Sequence, residues 1–373
     1  MDKLLEVDQV SKTFGTLVAN KNISFSISKG EILAVLGENG AGKTTLMNII
    51  FGHYLPDDGQ IRLKGLKMRS GDTKAAIKSG IGMVHQHFTL AENLTVLENI
   101  IIGHNSIWGW TLNSRSAEKK VIEISKRFGL RINPKSRVSD LSVGEKQRLE
   151  ILKTLYANCD LVILDEPTAC LTPQEVDTLF ITIQSMVKSG LSVIIISHKL
   201  DEILRVSDKV LVLRNGEVVA NLLKDRVSKT SLAELIVGRK IDRPEQKKSF
   251  STNKILNLKS VYTNPTQGSP MGLKNVNLDL MKGEIHGIAG VAGNGQKALC
   301  EFIAGHIKPE TGSFCFKGEE VKLFDVKSLM SRGIAYIPED RNRDGLIGDM
   351  SIKENAILSE LDNPKITSKL GFL

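Results

Sequence analysis

The octapeptide GENGAGKT, residues 37 to 44, constrains this chain more than any other stretch. An apolar run of β-forming residues, Ile32 to Leu36, leads into it, and an amphipathic helical pattern follows. A glycine-rich turn between a buried strand and a helix aims backbone N–H groups inward, where they can surround phosphate oxygens. The helix predicted to begin near Lys43 adds the positive end of its dipole. Lys43 has the reach for β- and γ-phosphates, and the Thr44 hydroxyl suits Mg²⁺. Gly37, Asn39, Gly40, Ala41, Gly42, Lys43, Thr44 and Thr45 are therefore the candidate binding residues for a nucleoside triphosphate.

A second apolar run, in LVILDEPTA at residues 161 to 169, ends on Asp165 and Glu166. A buried strand that delivers a carboxylate beside a phosphate loop can hold Mg²⁺, which gives Asp165 a role. Its neighbour Glu166 is then a candidate general base for water. An acidic pair after a strand is often structural; the intact loop upstream selects the chemical reading. Between the two motifs lies SDLSVGEKQRLEILKTL, residues 139 to 155. Here Ser142 and Glu145 have capping-box spacing around Val143 and Gly144, so a helix starts at this point. A capped helix start with a serine hydroxyl is also an anion-binding surface, and it suits a γ-phosphate held by another domain.

Composition narrows the class. The chain has 373 residues, enough for two domains, with 41% hydrophobic and 25% charged residues, so it reads as globular. No apolar run has the ~18 to 20 residues of a membrane span, and MDKLLEVDQV is not a secretory signal, which points to the cytoplasm. The net charge of +8 is spread along the chain, and only 5% of residues are aromatic, so a nucleic-acid partner is not expected. Cys159, Cys170, Cys300 and Cys315 have neither pairing nor metal spacing and read as packing residues.

These residues together resemble an ATP-binding cassette (ABC) ATPase through residues 4 to 220, with LSVGE in place of the family signature LSGGQ. The resemblance implies an α/β P-loop NTPase fold with a mixed sheet and a helical signature subdomain. It implies that Gln86 in GMVHQHF lies near Mg²⁺ and the attacking water. His198 in VIIISHKLDE would contact the γ-phosphate, and Phe14 in SKTFG would stack on adenine. Taken alone, a histidine after a strand is ordinarily structural and Phe14 reads as core; order and spacing carry the functional reading. Two departures, Val143 and Glu145 in the signature and Thr172 where the family has aspartate, fall at the interface between cassettes.

The chain also repeats. KNISFSISKGEILAVLGENGAGKTTLMNIIFG matches KNVNLDLMKGEIHGIAGVAGNGQKALCEFIAG, and Gly37 and Gly42 map onto Gly290 and Gly295 at an offset of 253. The second loop keeps Gly290, Gly293 and Gly295 but has Gln296 in place of Lys43 and Lys297 in place of Thr44. A neutral Gln296 cannot supply the cation, so this loop is expected to be degenerate. Lys297 reads as a surface residue or as a displaced substitute. The organisation expected is a first cassette at 1–240, a linker at 241–253 and a second, degenerate cassette at 254–373. The offset grows to 256 by Ser351, which would place a second signature near residue 397. The second cassette is accordingly expected to be a fragment that lacks signature, acidic strand end and switch histidine.

An intact first half before a degenerate second resembles the tandem ATPases of simple-sugar and nucleoside importers. GMVHQHFTLAENLTVLENI and VAGNGQ followed by PEDRNRDGL carry that likeness, and VAGNGQ favours the nucleoside branch. The resemblance implies ATP and Mg²⁺, two integral-membrane permease subunits received near Gln86 to Ile102, an extracytoplasmic substrate-binding lipoprotein, and a place on the cytoplasmic face of the membrane. First cassettes of two chains can also complete each other's sites by self-association. Two other functions compete: a soluble tandem cassette acting on nucleic acid or ribosomes, and a fragment that binds ATP without hydrolysing it.

Overall fold

The computed structural model describes residues 2–86, 88–102, 114–169, 171–240, 251–266, 271–290 and 293–360. It divides into two compact units, residues 1–243 and 244–373. The expected linker falls mostly on residues 241–250, outside the described residues.

The first unit begins with β1 (Lys3–Phe14), β2 (Leu17–Ser28), β3 (Ile32–Leu36) and α1 (Lys43–Phe51). Next come β4 (Asp58–Leu63), β5 (Leu66–Lys67), α2 (Thr73–Ser79) and β6 (Ile81–Val84). Three helices follow: α3 (Val96–Ile101), α4 (Ser114–Phe128) and α5 (Val143–Tyr156). The unit closes with β7 (Leu161–Asp165), α6 (Pro173–Lys188), β8 (Ser192–Ile196), α7 (Leu200–Val206), β9 (Lys209–Arg214), β10 (Glu217–Leu223) and α8 (Lys229–Val237).

Its central sheet has the order β10-β9-β3-β8-β7-β6, and β9, β3, β8, β7 and β6 run parallel. Every residue of β3, β7 and β8 is buried, as their unbroken apolar runs require of strands covered on both faces. Successive side chains point to opposite faces. Ile32, Ala34, Leu36, Val162, Leu164, Val193 and Ile195 therefore join one core with α5 and α6, while Leu33, Val35, Leu161, Ile163, Ile194 and Ile196 join another with α1. That second core is closed by an antiparallel sheet of order β2-β1-β4-β5.

Because β3, β8, β7 and β6 are neighbours and parallel, their C-terminal ends lie along one edge. In such sheets ligands bind at that edge. The glycine loop leaves β3, Glu166 follows β7, Gln86 follows β6 and His198 follows β8.

The second unit contains β11 (Lys254–Tyr262), β12 (Val276–Met281), α9 (Gln296–Ile303), β13 (Thr311–Phe316), β14 (Glu319–Glu320), α10 (Val326–Ser331) and α11 (Ile352–Ile357). Its sheet, β12-β11-β13-β14, repeats the antiparallel sheet of the first unit. Phe302 and Phe324 stack at the centre of its core, with Phe314 edge-on to both. The counterparts of β3 and β6, residues 284–290 and 334–338, form no strand, and Ile285 and Ile337 are 99% and 85% exposed. In the first unit β3 pairs with β8 and β9, and β6 with β7. Among the described residues, neither segment pairs with a strand.

Candidate active site

The loop after β3 is built to be approached closely. Gly40 and Gly42 have φ of 83° and 95°, conformations that favour glycine. A Cβ at Gly42 would strike the Ala19 carbonyl and the Asn20 side chain, and one at Gly37 would strike the Leu213 carbonyl. Asn20, fully buried in β2, donates from Nδ2 to the Gly42 carbonyl at 3.1 Å. Nothing in the sequence marks Asn20 as part of the loop; it is found only through this contact. Gly42 is the N-cap of α1 and provides no side-chain cap, so the first N–H groups of α1 stay open to an anion. Asn39, Gly40 and Thr44 are exposed along the loop; Thr45 is half-buried and Ala41 buried.

Lys43 is buried, and its Nζ donates to the carbonyls of Gly37 and Glu38, both at 2.8 Å. An ammonium group has three donors, so one remains for a phosphate oxygen. Burial pushes its pKa down, against the opposing pull of Glu166 and Asp165. Asp165, only 5% exposed at the end of β7, has its pKa pushed up to about 6 by burial and then by the neighbouring Glu166 charge, with Lys43 opposing. A buried carboxylate and a half-buried one beside one lysine suit a site that gains a cation and a polyanion together.

Glu166 takes a left-handed backbone conformation, φ 47°, which is uncommon for a residue with a side chain. Its N–H donates to the Ile196 carbonyl of β8 at 2.9 Å, which fixes that turn. The carboxylate is thereby aimed between two strand ends. Gln86 Nε2 donates to Oε2 at 3.0 Å, and His198 Nδ1 lies 3.2 Å from Oε1. The structure thus brings Gln86, Glu166 and His198 into one contact set, with Asp165 and Lys43 alongside. Thr168, buried in the next turn, donates to Glu202 at 2.6 Å, and Lys199 Nζ donates to the Thr168 carbonyl at 3.1 Å. These bonds tie the turn after β7 to α7 and steady the His198 segment.

Three comparisons bear on this geometry. Residues 20–169 and 273–371 match the family model described as ABC transporter. The chain belongs to the ABC transporter family. The nucleoside import ATP-binding protein NupA of Lactococcus lactis subsp. cremoris is 40% identical over 373 residues, all of this chain and 73% of that protein. The glucose import ATP-binding protein TsgD13 of Haloferax volcanii is 38% identical over 396 residues, 98% of this chain and 72% of that protein. Among solved structures, the ADP conformation of MJ1267, an ATP-binding cassette of an ABC transporter, matches with a TM-score of 0.57 and 26% identity. It covers 64% of this chain and all of that one. The P-loop cassette fold implied by the resemblance and the tandem repetition read from the internal repeat are both borne out, and with them the ATPase class.

Two motifs of this ABC ATPase behave differently from the loop. At the signature, Ser142 caps α5, and Glu145 accepts from Ser142 N–H at 2.9 Å and from its hydroxyl at 3.0 Å. Those bonds hold the Glu145 carboxyl below its usual range. The helix start therefore already carries a negative charge. Val143 is 43% exposed there, whereas Gly144 is buried where a Cβ would strike Glu175 of α6. Thr172 caps α6 and bonds the same Glu175, so its hydroxyl does local work where the family has aspartate.

In the second cassette, Gly293 and Gly295 keep positive φ, 88° and 97°, and Gly295 caps α9 as Gly42 caps α1. Yet nothing lies within 4 Å of a Cβ built on Gly295, so the packing that shapes the first loop is missing. Gln296 folds its amide back to where a Cβ of Gly290 would sit. Lys297 pairs with Glu301 one turn along at 3.7 Å, the position of a surface lysine. Residues 291 and 292 of VAGNGQ lie outside the described residues, as do His87 beside Gln86 and Cys170 before Thr172. Phe14 ends β1, 42% exposed, with Tyr54 edge-on at 5.4 Å. Tyr54 carries no motif signal.

Proposed function

We propose that this chain is the ATP-hydrolysing subunit of an importer for a nucleoside or a simple sugar, working through partner permeases. The observation that carries it is the Glu166 carboxylate, fixed in a strained turn between Gln86 and His198 at the strand edge that bears the phosphate loop. Strain of this kind, roughly 1–3 kcal/mol, persists where the surrounding structure imposes it, and it clusters at functional sites.

In this reading the triphosphate lies along residues 37–45, with Lys43's remaining donor on the β- and γ-oxygens and Phe14 against the base. Thr44, Gln86 and Asp165 would hold Mg²⁺, which neutralises phosphate charge when bound. Glu166 accepts a proton from water as its oxygen bonds to the γ-phosphorus. The bond to the bridging oxygen breaks, that oxygen keeps the electron pair, and ADP and phosphate are released. His198 meets the γ-phosphate, and Gln86 orients the water. Ser142 to Glu145 of a second cassette closes over the nucleotide, so two first cassettes complete each other. Gln296 leaves the second loop without its cation, and that loop does not hydrolyse ATP. No described helix is long and apolar enough to cross a membrane, which suits a peripheral subunit on the cytoplasmic face. A substrate-binding lipoprotein would deliver the solute, and the likeness to NupA together with the VAGNGQ loop favours a nucleoside.

The test is Mg²⁺-dependent ATP turnover across protein concentrations. Turnover per chain rises with concentration and drops at least ~100-fold in Glu166→Gln, within the range general-base removal produces. Turnover that survives in Glu166→Gln would overturn the assignment.

A further inference from the structure

Glu150 lies two turns into α5, only 4% exposed, and no part of the site described above uses it. A buried carboxylate must be compensated by donors, and here they come from one distant residue. Thr89 donates to Glu150 Oε1 from its N–H at 2.6 Å and from its hydroxyl at 3.1 Å. Lys153, one turn further along α5, donates to the Thr89 carbonyl at 3.0 Å and stands 3.9 Å from Glu150 Oε2. All three polar groups of Thr89 are thus held by α5. The grip extends down the segment. Lys146 pairs with Glu92 at 2.7 Å, and buried Asn99 of α3 accepts from Ala91 N–H at 2.8 Å and donates to its carbonyl at 3.0 Å.

Thr89 is three residues after Gln86, and Gln86 reaches Glu166 across the strand edge. The helix that grips Thr89 is the one whose first turn is Ser142 to Glu145. We propose that Glu150 and Lys153 are positioning residues: by clamping Thr89 they hold Gln86 at Glu166 and make its placement depend on the seating of the signature helix. The functional half of this inference rests on the ATPase reading; the clamp itself does not. A helix that moves when a second cassette docks on its first turn would then carry Gln86 with it.

Two measurements on the full chain test it, with Glu150→Ala, the conservative Glu150→Gln and Thr89→Val. Amide exchange of the peptide spanning 86–91 should quicken roughly tenfold or more in Glu150→Ala, less in Glu150→Gln, whose amide oxygen still accepts, with the peptides of β3 and β7 unchanged. Unchanged exchange over 86–91 would overturn the clamp whether or not ATP is hydrolysed. In turnover, Glu150→Ala should lower kcat about tenfold with KM for ATP within about twofold, and should cost little more in a Gln86→Ala background. Losses that multiply in the double variant would overturn the positioning of Gln86, because residues acting through one another do not add. If Glu150→Ala fails to fold, Lys153→Met, which frees the Thr89 carbonyl, decides the same questions together with Thr89→Val. Absence of wild-type turnover would count against the ATPase reading, and the exchange result would still decide the clamp.

Discussion

At the scale of single residues, the fold disfavours the charge on Asp165. Its carboxyl is moved from the usual 3.8 up to about 6 by burial and by Glu166. Between those values the folded chain binds the proton more tightly than the unfolded chain does, so stability falls as pH rises through that window. Two pH units correspond to about 3 kcal/mol at most. Asp165→Asn should therefore stabilise the nucleotide-free chain by roughly 1–3 kcal/mol at pH 7, lose that advantage below about pH 4, and abolish Mg²⁺-dependent turnover. Denaturant midpoints at the two pH values measure it; an equal effect at both would show that ionisation is not the cause. Glu145 carries the opposite lesson, since its charge is stabilised locally by Ser142. In the proposed closure on a second cassette's triphosphate, that charge would oppose association. Glu145→Gln keeps the capping geometry and should tighten ATP-driven association roughly threefold to tenfold in a Glu166→Gln background, read by sedimentation.

At the scale of elements, α1 depends on how closely Gly42 approaches β2. Any Cβ there meets the Ala19 carbonyl, and φ of 95° adds strain for a non-glycine residue. Gly42→Ala should cost several kcal/mol and weaken ATP binding, whereas Gly295→Ala, with the same φ but open space, should cost only the ~1–3 kcal/mol of strain. Thermal unfolding of the two variants compares them directly. The same contrast shows what was legible beforehand. The loop, the strand before it and the helix after it are written locally, because turn chemistry and period are local properties. Ser142 and Glu145 were readable for the same reason. The contact of Glu166 with Gln86 and His198 was not, because it depends on β6, β7 and β8 becoming neighbours in an order the chain does not follow. Asn20 and Glu150 were invisible too: their bonds, to Gly42 and to Thr89, cross between elements and leave no spacing to read.

For the whole molecule, the two units share one sequence pattern and pair its strands differently. β3 is a buried strand because β8 and β9 flank it, and β6 because β7 does. The repeat places a partly apolar counterpart at 284–290 and 334–338, yet among the described residues these pair with no strand; 284–290 is exposed, and Ile334, Tyr336 and Pro338 are only half-buried. Strand propensity alone does not make a strand; the ladder needs a partner, and an unpartnered apolar segment is open to solvent, proteases and other chains. The aromatic core around Phe302 and the β11 sheet do close on themselves, so the second unit should be ordered there and open at these two segments. Limited proteolysis with an enzyme of broad specificity should accordingly cut first within 284–290 and 334–340, while 32–36 and 81–84 resist until the first unit unfolds. Cleavage that begins at β3 or β6 instead would show that pairing does not set the order of opening.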